Sequence, residues 1–187
     1  MKEQLKIDFD KTIKMLGLNE KDIDLKKNQL SKFIENGFPS KKLENWKFID
    51  LNQIIKKNIG EISFFNDYSI SNNIDTSVFI KNFEHNKIIF INGKIEKIDF
   101  KHEENNEIQI NEDKKISNTF DNKNSLLDLN NIFKNNHYKI LIKKNYIVKK
   151  PLVIYHLTNE KMKSKNINLR LDFELEQNSS LKLIDFF

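Results

Sequence analysis

The sequence predicts an α+β fold, in which helices and a β-hairpin come first and a run of short strands follows. Three observations support this prediction. Apolar residues recur at helical spacing in residues 5–34, an Asn-Gly pair joins two β-rich arms in residues 87–98, and short apolar runs separated by polar turns occupy residues 138–187. The change from helical to strand period after residue 137 marks the transition between the two kinds of structure.

Two amphipathic helices are predicted before residue 38. Gly17 ends the first helix, because glycine readily adopts the left-handed conformation found after a helix C-terminus. The second helix begins after a cap at Asn19 or Asp22 and ends at Gly37. Their apolar faces consist of Leu5, Phe9, Ile13 and Leu16 in the first helix, and of Ile23, Leu30, Phe33 and Ile34 in the second.

The segment from Phe38 to Leu51 is predicted to form a stiff joint, and it contains the single tryptophan, Trp46. Pro39 cannot continue a helix, and the indole ring offers a broad apolar surface for flanking segments. We therefore expect Trp46 to be buried. A further helical turn or two is expected from residue 51 to about residue 57, and residues 58–86 are expected to be irregular.

The clearest local signal is the hairpin, where Asn92-Gly93 suits the positive φ angles of a type I′ turn. A polar connector is predicted over residues 99–124, with a short strand at 107–110. Ser125 is predicted to cap a helix that continues to Phe133. The strands after it are predicted at residues 138–142, 147–148, 151–157, 167–176 and 181–187. Short strands with Asn-bearing turns suit both a parallel β-helix and an antiparallel sandwich, and the local pattern does not separate them.

Composition excludes several classes of protein. Lysines alternate with acidic residues, the net charge is +5 and Arg170 is the single arginine, so a solvated surface is favoured over a nucleic-acid-binding face. The chain has no cysteine, which excludes disulfides, thiolate nucleophiles and cysteine-ligated metals. No apolar run reaches the length of about 20 residues that crosses a bilayer, and the N-terminus lacks the apolar core of a signal peptide. The sequence thus predicts a cytoplasmic protein.

The sequence predicts no catalytic, cofactor-binding or metal-binding residue, and therefore no enzyme. The four histidines, His85, His102, His137 and His156, lie far apart without ligand-type spacing, and His156 is interpreted as a satisfied residue of a strand. The acidic pair Glu103-Glu104 is interpreted as solvated surface. No glycine-rich phosphate loop and no Ser/His/Asp motif occurs in the sequence.

Several blocks of the chain resemble the SufB/SufD family of SUF iron–sulfur cluster assembly scaffolds. The segment around Glu44-Asn45-Trp46-Lys47 resembles the N-terminal signature of the SufD branch, and the Asn92-Gly93 hairpin resembles its strand–turn–strand segment. Three later blocks follow in the order of the family, so that the resemblance extends from about residue 25 onward. These blocks are Leu129–Phe133, Lys149–Leu152 and Leu175–Ile184.

The resemblance implies an N-terminal helical and hairpin domain at residues 1–124 and the first coils of a right-handed parallel β-helix at 125–187, incomplete at Phe187. Three turn residues depart from the family pattern, since His137, Lys143 and Asn145 replace a glycine, a proline and a glycine. The last strand, residues 181–187, is expected to leave an open edge that pairs with another chain.

The function implied by the resemblance is that of a non-catalytic scaffold subunit. In the family, SufB and the SufC ATPase bind mainly to regions that this chain lacks. No cofactor is expected in this chain, because an iron–sulfur cluster would be present only through the complete complex. The alternative is a protein-interaction module that keeps this half-fold without a role in cluster assembly. A β-helix carbohydrate enzyme ranks last, because the strands offer only isolated charges.

Overall fold

A computed structural model of the chain describes residues 1–67, 76–113 and 125–187. These residues form two compact units. The helical unit lies within residues 1–67, 125–135 and 164–169, and the sheet unit lies within residues 76–113, 136–163 and 170–187. The predicted domain boundary at residue 124, the later part of the predicted connector and part of the predicted irregular region fall on residues 68–75 and 114–124, outside the described residues.

The helical unit contains four helices, whose predicted positions are confirmed. Gly17 ends the first helix with a left-handed φ of 58°, and the side chain of Asn19 caps the second by accepting from the Asp22 backbone N–H at 3.0 Å. Asp50 caps the third helix in the same way. The helices are α1 (Lys2–Leu16), α2 (Glu20–Asn36), α3 (Leu51–Asn58) and α4 (Ser125–Phe133).

An aromatic and aliphatic core holds the helical unit together. The rings of Phe64 and Phe133 stack with centroids 5.4 Å apart, and Phe38 packs edge-on against Phe33 at the same distance. The core is extended by buried Leu5, Phe9, Leu30, Leu129 and Ile132. Burial of these side chains is the main source of stability for this unit.

The buried carboxylate of Asp8 attaches the segment after α3 to helix α1. It accepts hydrogen bonds from the Phe64 backbone N–H at 2.7 Å, from the Ser63 hydroxyl at 3.0 Å and from the Gln4 side chain at 2.9 Å. A buried carboxylate is tolerated when several donors surround it. Phe64 is thereby held in the core.

Helix α4 ends against an unusual partner, the buried side chain of Lys26. Its Nζ donates to the carbonyl oxygens of Asn131 and Ile132 at 2.7 and 2.8 Å, and the residue is only 1% exposed. These carbonyls belong to the last turn of α4, where helical partners are missing. Burial, assisted by the positive charge of Lys134, lowers the pKa of Lys26 to about 7.

The predicted burial of Trp46 is wrong. The tryptophan lies in a 3₁₀ turn, Glu44–Trp46, in which no residue is buried, and the neighbouring Phe48 is 90% exposed. The aromatic residue that enters the core from this segment is Phe38, which contacts both Phe33 and Phe64. The joint therefore depends on Phe38, because the short 3₁₀ turn leaves the indole only partly buried.

In the described residues, seven strands build two sheets. They are β1 (Asn86–Ile91), β2 (Lys94–Asp99), β3 (Ile108–Glu112), β4 (Asn136–Ile142), β5 (Leu152–Leu157), β6 (Leu169–Leu175) and β7 (Leu183–Phe186). The four-stranded sheet has the order β2-β1-β5-β7, and the three-stranded sheet has the order β3-β4-β6. The predicted hairpin is confirmed, with φ angles of 53° at Asn92 and 87° at Gly93 between β1 and β2.

The prediction of a β-helix is wrong. In the parts of the chain that the structure describes, the architecture is mixed α/β, with two open mixed sheets and no closed or solenoid sheet. The hairpin arm β1 pairs with β5, and antiparallel strands form one border of each sheet, β2 beside β1 and β3 beside β4. Local sequence identified the strands, but pairing partners far apart in the chain decide the architecture.

The strand predicted at residues 147–148 is a single bridge between Ile147 and Ser180.

Asparagines form the tight turns beside the strands, as predicted. Asn145 and Asn178 have φ angles of 63° and 60°, and the amide of Asn178 donates to the side-chain oxygen of Asn145 at 3.0 Å. Asparagine tolerates this left-handed conformation better than most residues with a Cβ. Asn145 thus takes the conformation for which the family pattern has a glycine.

Candidate interaction surface

Strand β7 is the most exposed strand of the four-stranded sheet. The central strands β1 and β5 are almost entirely buried, whereas β7 exposes Leu183 and Ile184, and Phe187 beyond it is 86% exposed. β7 pairs with β5 on one side, and no strand within the described ranges pairs with its other side. The outer side therefore presents backbone N–H and C=O groups together with apolar side chains.

His156 connects this surface to the interior of the sheet. Its imidazole lies between the rings of Phe90 and Phe187, with centroid distances of 5.3 and 4.6 Å and interplanar angles below 10°. Its Nε2–H donates to the Asp185 carboxylate on neighbouring β7 at 2.8 Å. The prediction that His156 is a satisfied residue of a strand is confirmed. The stack continues from the buried Phe90 ring to the exposed Phe187 ring.

A second histidine, His85, fixes the tyrosine that packs against the other face of β7. The His85 Nδ1–H donates to the Phe83 carbonyl at 2.6 Å, and its Nε2 accepts from the Tyr155 hydroxyl at 2.8 Å. The Tyr155 oxygen in turn accepts from the Ile80 backbone N–H at 3.1 Å. The Tyr155 ring contacts Phe186 with centroids 5.3 Å apart, so the partly buried residue of β7 rests on a fixed buried side chain.

Glu103 fixes the turn that leads into β5. Its carboxylate accepts from the Asn86 amide at 2.6 Å, from the Tyr146 hydroxyl at 2.7 Å and from the backbone N–H groups of Lys149 and Lys150 at 3.0 and 3.1 Å. Burial raises the pKa of Glu103, but these hydrogen bonds outweigh burial and hold it below the usual value. The interpretation of Glu103 as solvated surface is therefore wrong.

Glu104, the second member of the acidic pair, lies on the solvated surface, as the sequence predicts. Glu104 is exposed and forms an ion pair with the Lys149 side chain at 2.8 Å. An exposed pair of this kind contributes little to stability.

His137 belongs to a row of polar and charged side chains that joins β4 to β6. Its Nε2–H donates to the Asp172 carboxylate at 2.8 Å, and its Nδ1 lies 3.8 Å from the Asp113 carboxylate. Arg170 also donates to Asp172, at 2.9 Å. Burial raises the pKa of Asp172, but the hydrogen bonds from Arg170 and His137 outweigh it and leave the pKa below its usual value.

The same row continues two residues along each strand. Lys139 on β4 forms an ion pair with Glu174 on β6. Sequence reasoning missed these pairs, although charged residues at alternate positions of two predicted strands are the signal of such cross-strand contacts. The remaining histidine, His102, lies in the turn after β2. Among the residues that the structure describes, no group of three or more His, Asp or Glu side chains is arranged to hold a metal ion.

None of the described helices combines the length and the apolar character needed to cross a membrane. Comparison with protein-family models and with curated proteins gave no match for this chain. The membership in the SufB/SufD family, which rests on the sequence blocks described above, therefore stays a prediction.

Proposed function

We propose that the chain is a SufD-like, non-catalytic scaffold subunit that acts in iron–sulfur cluster assembly by binding other proteins. The observation that carries the binding role is the open outer side of β7, with exposed Leu183, Ile184 and Phe187. The assignment to cluster assembly comes from the sequence resemblance. The last resembling block, Leu175–Ile184, includes the first residues of β7.

The surface has the chemistry of a strand-addition site. A partner strand that pairs with β7 gains backbone hydrogen bonds along the strand, and the exposed side chains supply apolar contacts. An aromatic ring held in a fixed orientation is a favourable anchor, since little side-chain freedom is lost on binding. Phe187 fits this description, because its ring stacks on His156, which is itself bonded to Asp185.

The resemblance defines the partners of the proposal. They are SufB and the SufC ATPase, which in the family are bound mainly by other regions. In this proposal β7 adds a further contact with them. The proposal places the complex in the cytoplasm, without nucleic acid or membrane. It assigns no cofactor to this chain, and the iron–sulfur cluster would be held only by the complete complex.

The test is binding of the chain to purified SufB and SufC, measured by isothermal titration calorimetry. Ile184→Lys places a charge on the proposed edge and should weaken binding at least about tenfold, as expected for a well-packed interface residue. Ile98→Lys is the matched control, because Ile98 lies on β2 at the opposite border of the same sheet and is 44% exposed, against 37% for Ile184.

Three outcomes would contradict the proposal. Absence of binding at micromolar concentrations would remove SufB and SufC as partners. If the chain instead captured an unrelated protein, and Ile184→Lys abolished that capture, the chain would be an interaction module without a role in cluster assembly. Equal loss of binding in both variants would show that the β7 edge is not the contact surface.

A further inference from the structure

The backbone of β7 directs specific groups toward its open outer side. The carbonyl of Lys182 points inward, where it accepts from the Leu152 backbone N–H at 2.8 Å. Inward- and outward-directed backbone groups alternate along a strand, so the N–H and C=O groups of Leu183 and Asp185 point away from β5. In the described ranges no strand pairs with that side. These are therefore the backbone groups to which an added strand would bond.

Three exposed side chains follow one face of this border at alternate positions. They are Leu183 and Asp185 on β7 and Phe187 directly after it. Side chains two residues apart share a face of a strand, and both Asp185 and Phe187 contact His156. An added strand places its own alternate residues beside this row. The row of apolar, acidic and aromatic side chains thus defines what a partner strand has to match.

Asp185 gives the row a carboxylate that the sheet satisfies on one side only. Its Oδ1 accepts from His156 Nε2 at 2.8 Å, and Oδ2 has no hydrogen bond within the described part of the chain. The side chain is 46% exposed, so solvent reaches it at the border. A neutral strand would remove that solvent without replacing it, and an acidic residue would add repulsion. A lysine or arginine beside Asp185 compensates the carboxylate instead.

The ring of Phe187 offers a second contact, two positions along the same face. It stacks on His156 with centroids 4.6 Å apart and an interplanar angle of 7°, yet the residue is 86% exposed. The stack begins at the buried ring of Phe90 and crosses the sheet toward this border. A ring on the added strand would lengthen the stack by one position, and aromatic pairs of this kind are favourable.

We infer that the β7 border binds a partner strand that carries a basic residue beside Asp185 and an aromatic residue two positions away, beside Phe187. The inference rests on the proposed function, because it uses the same border, and adds the chemistry of the partner. Asp185 determines which sequence binds through its charge. Leu183 and Ile184 supply apolar contact that differs little between one strand sequence and another.

The test uses the end-capped peptide Thr-Phe-Thr-Lys-Thr-Phe-Thr, which reads the same from both ends and so fits parallel or antiparallel addition. A comparison peptide has Glu in place of Lys. Each is titrated into the full chain and followed by NMR of the backbone amides. We expect saturable shifts at Leu183 and Asp185, and about five- to tenfold tighter binding of the Lys peptide at low salt. This ratio should shrink in about 0.5 M NaCl, because salt screens exposed charges.

Two variants assign the preference to one carboxylate. Asp185→Asn keeps the shape of the side chain, and should reduce the ratio below about twofold while both peptides still bind. Asp99→Asn is the matched control, because Asp99 ends β2 at the opposite border of the same sheet, and should leave the ratio unchanged. Circular dichroism verifies that each variant is folded, and if either is not, the two peptides and their salt dependence on the unmodified chain decide the question.

A third peptide tests the aromatic position. With Ala in place of both Phe residues, it should bind the unmodified chain at least about threefold more weakly, because the contact with the ring of Phe187 is lost. Equal affinity of the Phe and Ala peptides would remove the aromatic residue from the inference.

Several results would overturn the inference. They are equal affinity of the Lys and Glu peptides, a preference that survives Asp185→Asn, and the absence of saturable shifts at Leu183 and Asp185. Shifts of these two signals with the concentration of the chain alone would show that a second copy covers the border.

The result is separable from that of the proposed function. Failure of SufB and SufC to bind would remove those partners and leave the peptide preference standing. Binding of SufB or SufC that depends on Ile184, without any preference for the Lys peptide, would keep the scaffold role and refute the inference about the partner strand.

Discussion

The buried Lys26 makes the stability of the helical unit depend on pH in a predictable direction. Its pKa is about 7 in the folded chain, against 10.5 for an ordinary lysine. Between these two values the unfolded chain binds a proton at this position and the folded chain does not. The free energy of unfolding must therefore rise as the pH rises from 7 toward 10.5, because deprotonation removes the cost of burying the charge.

The size of this effect follows from the two pKa values. Each pH unit within the window contributes about 1.4 kcal/mol, reduced near the ends where both states titrate. Between pH 7 and 9.5 the gain is about 3 kcal/mol. The range stops at pH 9.5 because of two tyrosines. Burial raises the pKa values of Tyr138 and Tyr146 in the folded chain. Once these tyrosines ionise in the unfolded chain, the free energy of unfolding falls as the pH rises.

The assay is urea unfolding followed by circular dichroism at 222 nm, at several pH values from 7 to 9.5. Lys26→Met keeps the length of the side chain and removes the titrating group, so its stability should lack this rise. Lys134→Gln removes a positive charge that lowers the pKa of Lys26, and should move the rise to higher pH. If the unmodified chain and Lys26→Met show the same pH dependence, the assignment of a low pKa to Lys26 is wrong.

Three further predictions test other parts of the fold. Glu103→Gln should destabilise the chain by about 1–3 kcal/mol at pH 7, because it weakens the hydrogen bonds to the turn before β5. In urea titrations, the difference in unfolding free energy between the two chains should shrink as the pH falls below 4.5. A carboxylate whose pKa is lowered by folding stabilises the fold only above its pKa in the unfolded chain. Phe64→Ala should cost about 3–5 kcal/mol of unfolding free energy, whereas Trp46→Ala should cost less than about 2 kcal/mol because the indole is only partly buried; equal losses would contradict the corrected position of the tryptophan. Anaerobic iron–sulfur reconstitution of the chain alone should leave no stoichiometric protein-bound iron or sulfide, and the outcome that opposes this expectation is a visible absorption band that persists after desalting.

Features with local causes could be predicted from sequence. Gly17, the cap at Asn19 and the turn at Asn92-Gly93 are determined by the conformations that these few residues allow. The helix that ends at Phe133 is predicted to within one residue of its start at Ser125, because its apolar spacing is regular. In each case the signal and the structure lie within the same short segment.

Features that depend on distant partners could not be predicted in the same way. Short strands with Asn turns do not reveal their pairing partners, so the β-helix prediction rests on the family resemblance alone. In the structure, β1 instead pairs in parallel with β5 and antiparallel with β2. Lys26 lies on the apolar side of α2, and only the carbonyls of α4, more than 100 residues later, explain its burial.

The strand order of the four-stranded sheet also affects how the chain is made. Residues paired between β1 and β5, such as Asn86 and Leu152, are separated by more than sixty positions. On a ribosome that adds 5–20 residues per second, the hairpin emerges roughly 3–13 s before β5 can pair with it. During that interval the inner edge of β1, one of the most apolar strands, is open to other nascent chains. Slower growth at low temperature lengthens this interval, so chaperones that cover exposed strands should improve soluble yield more than cooling does.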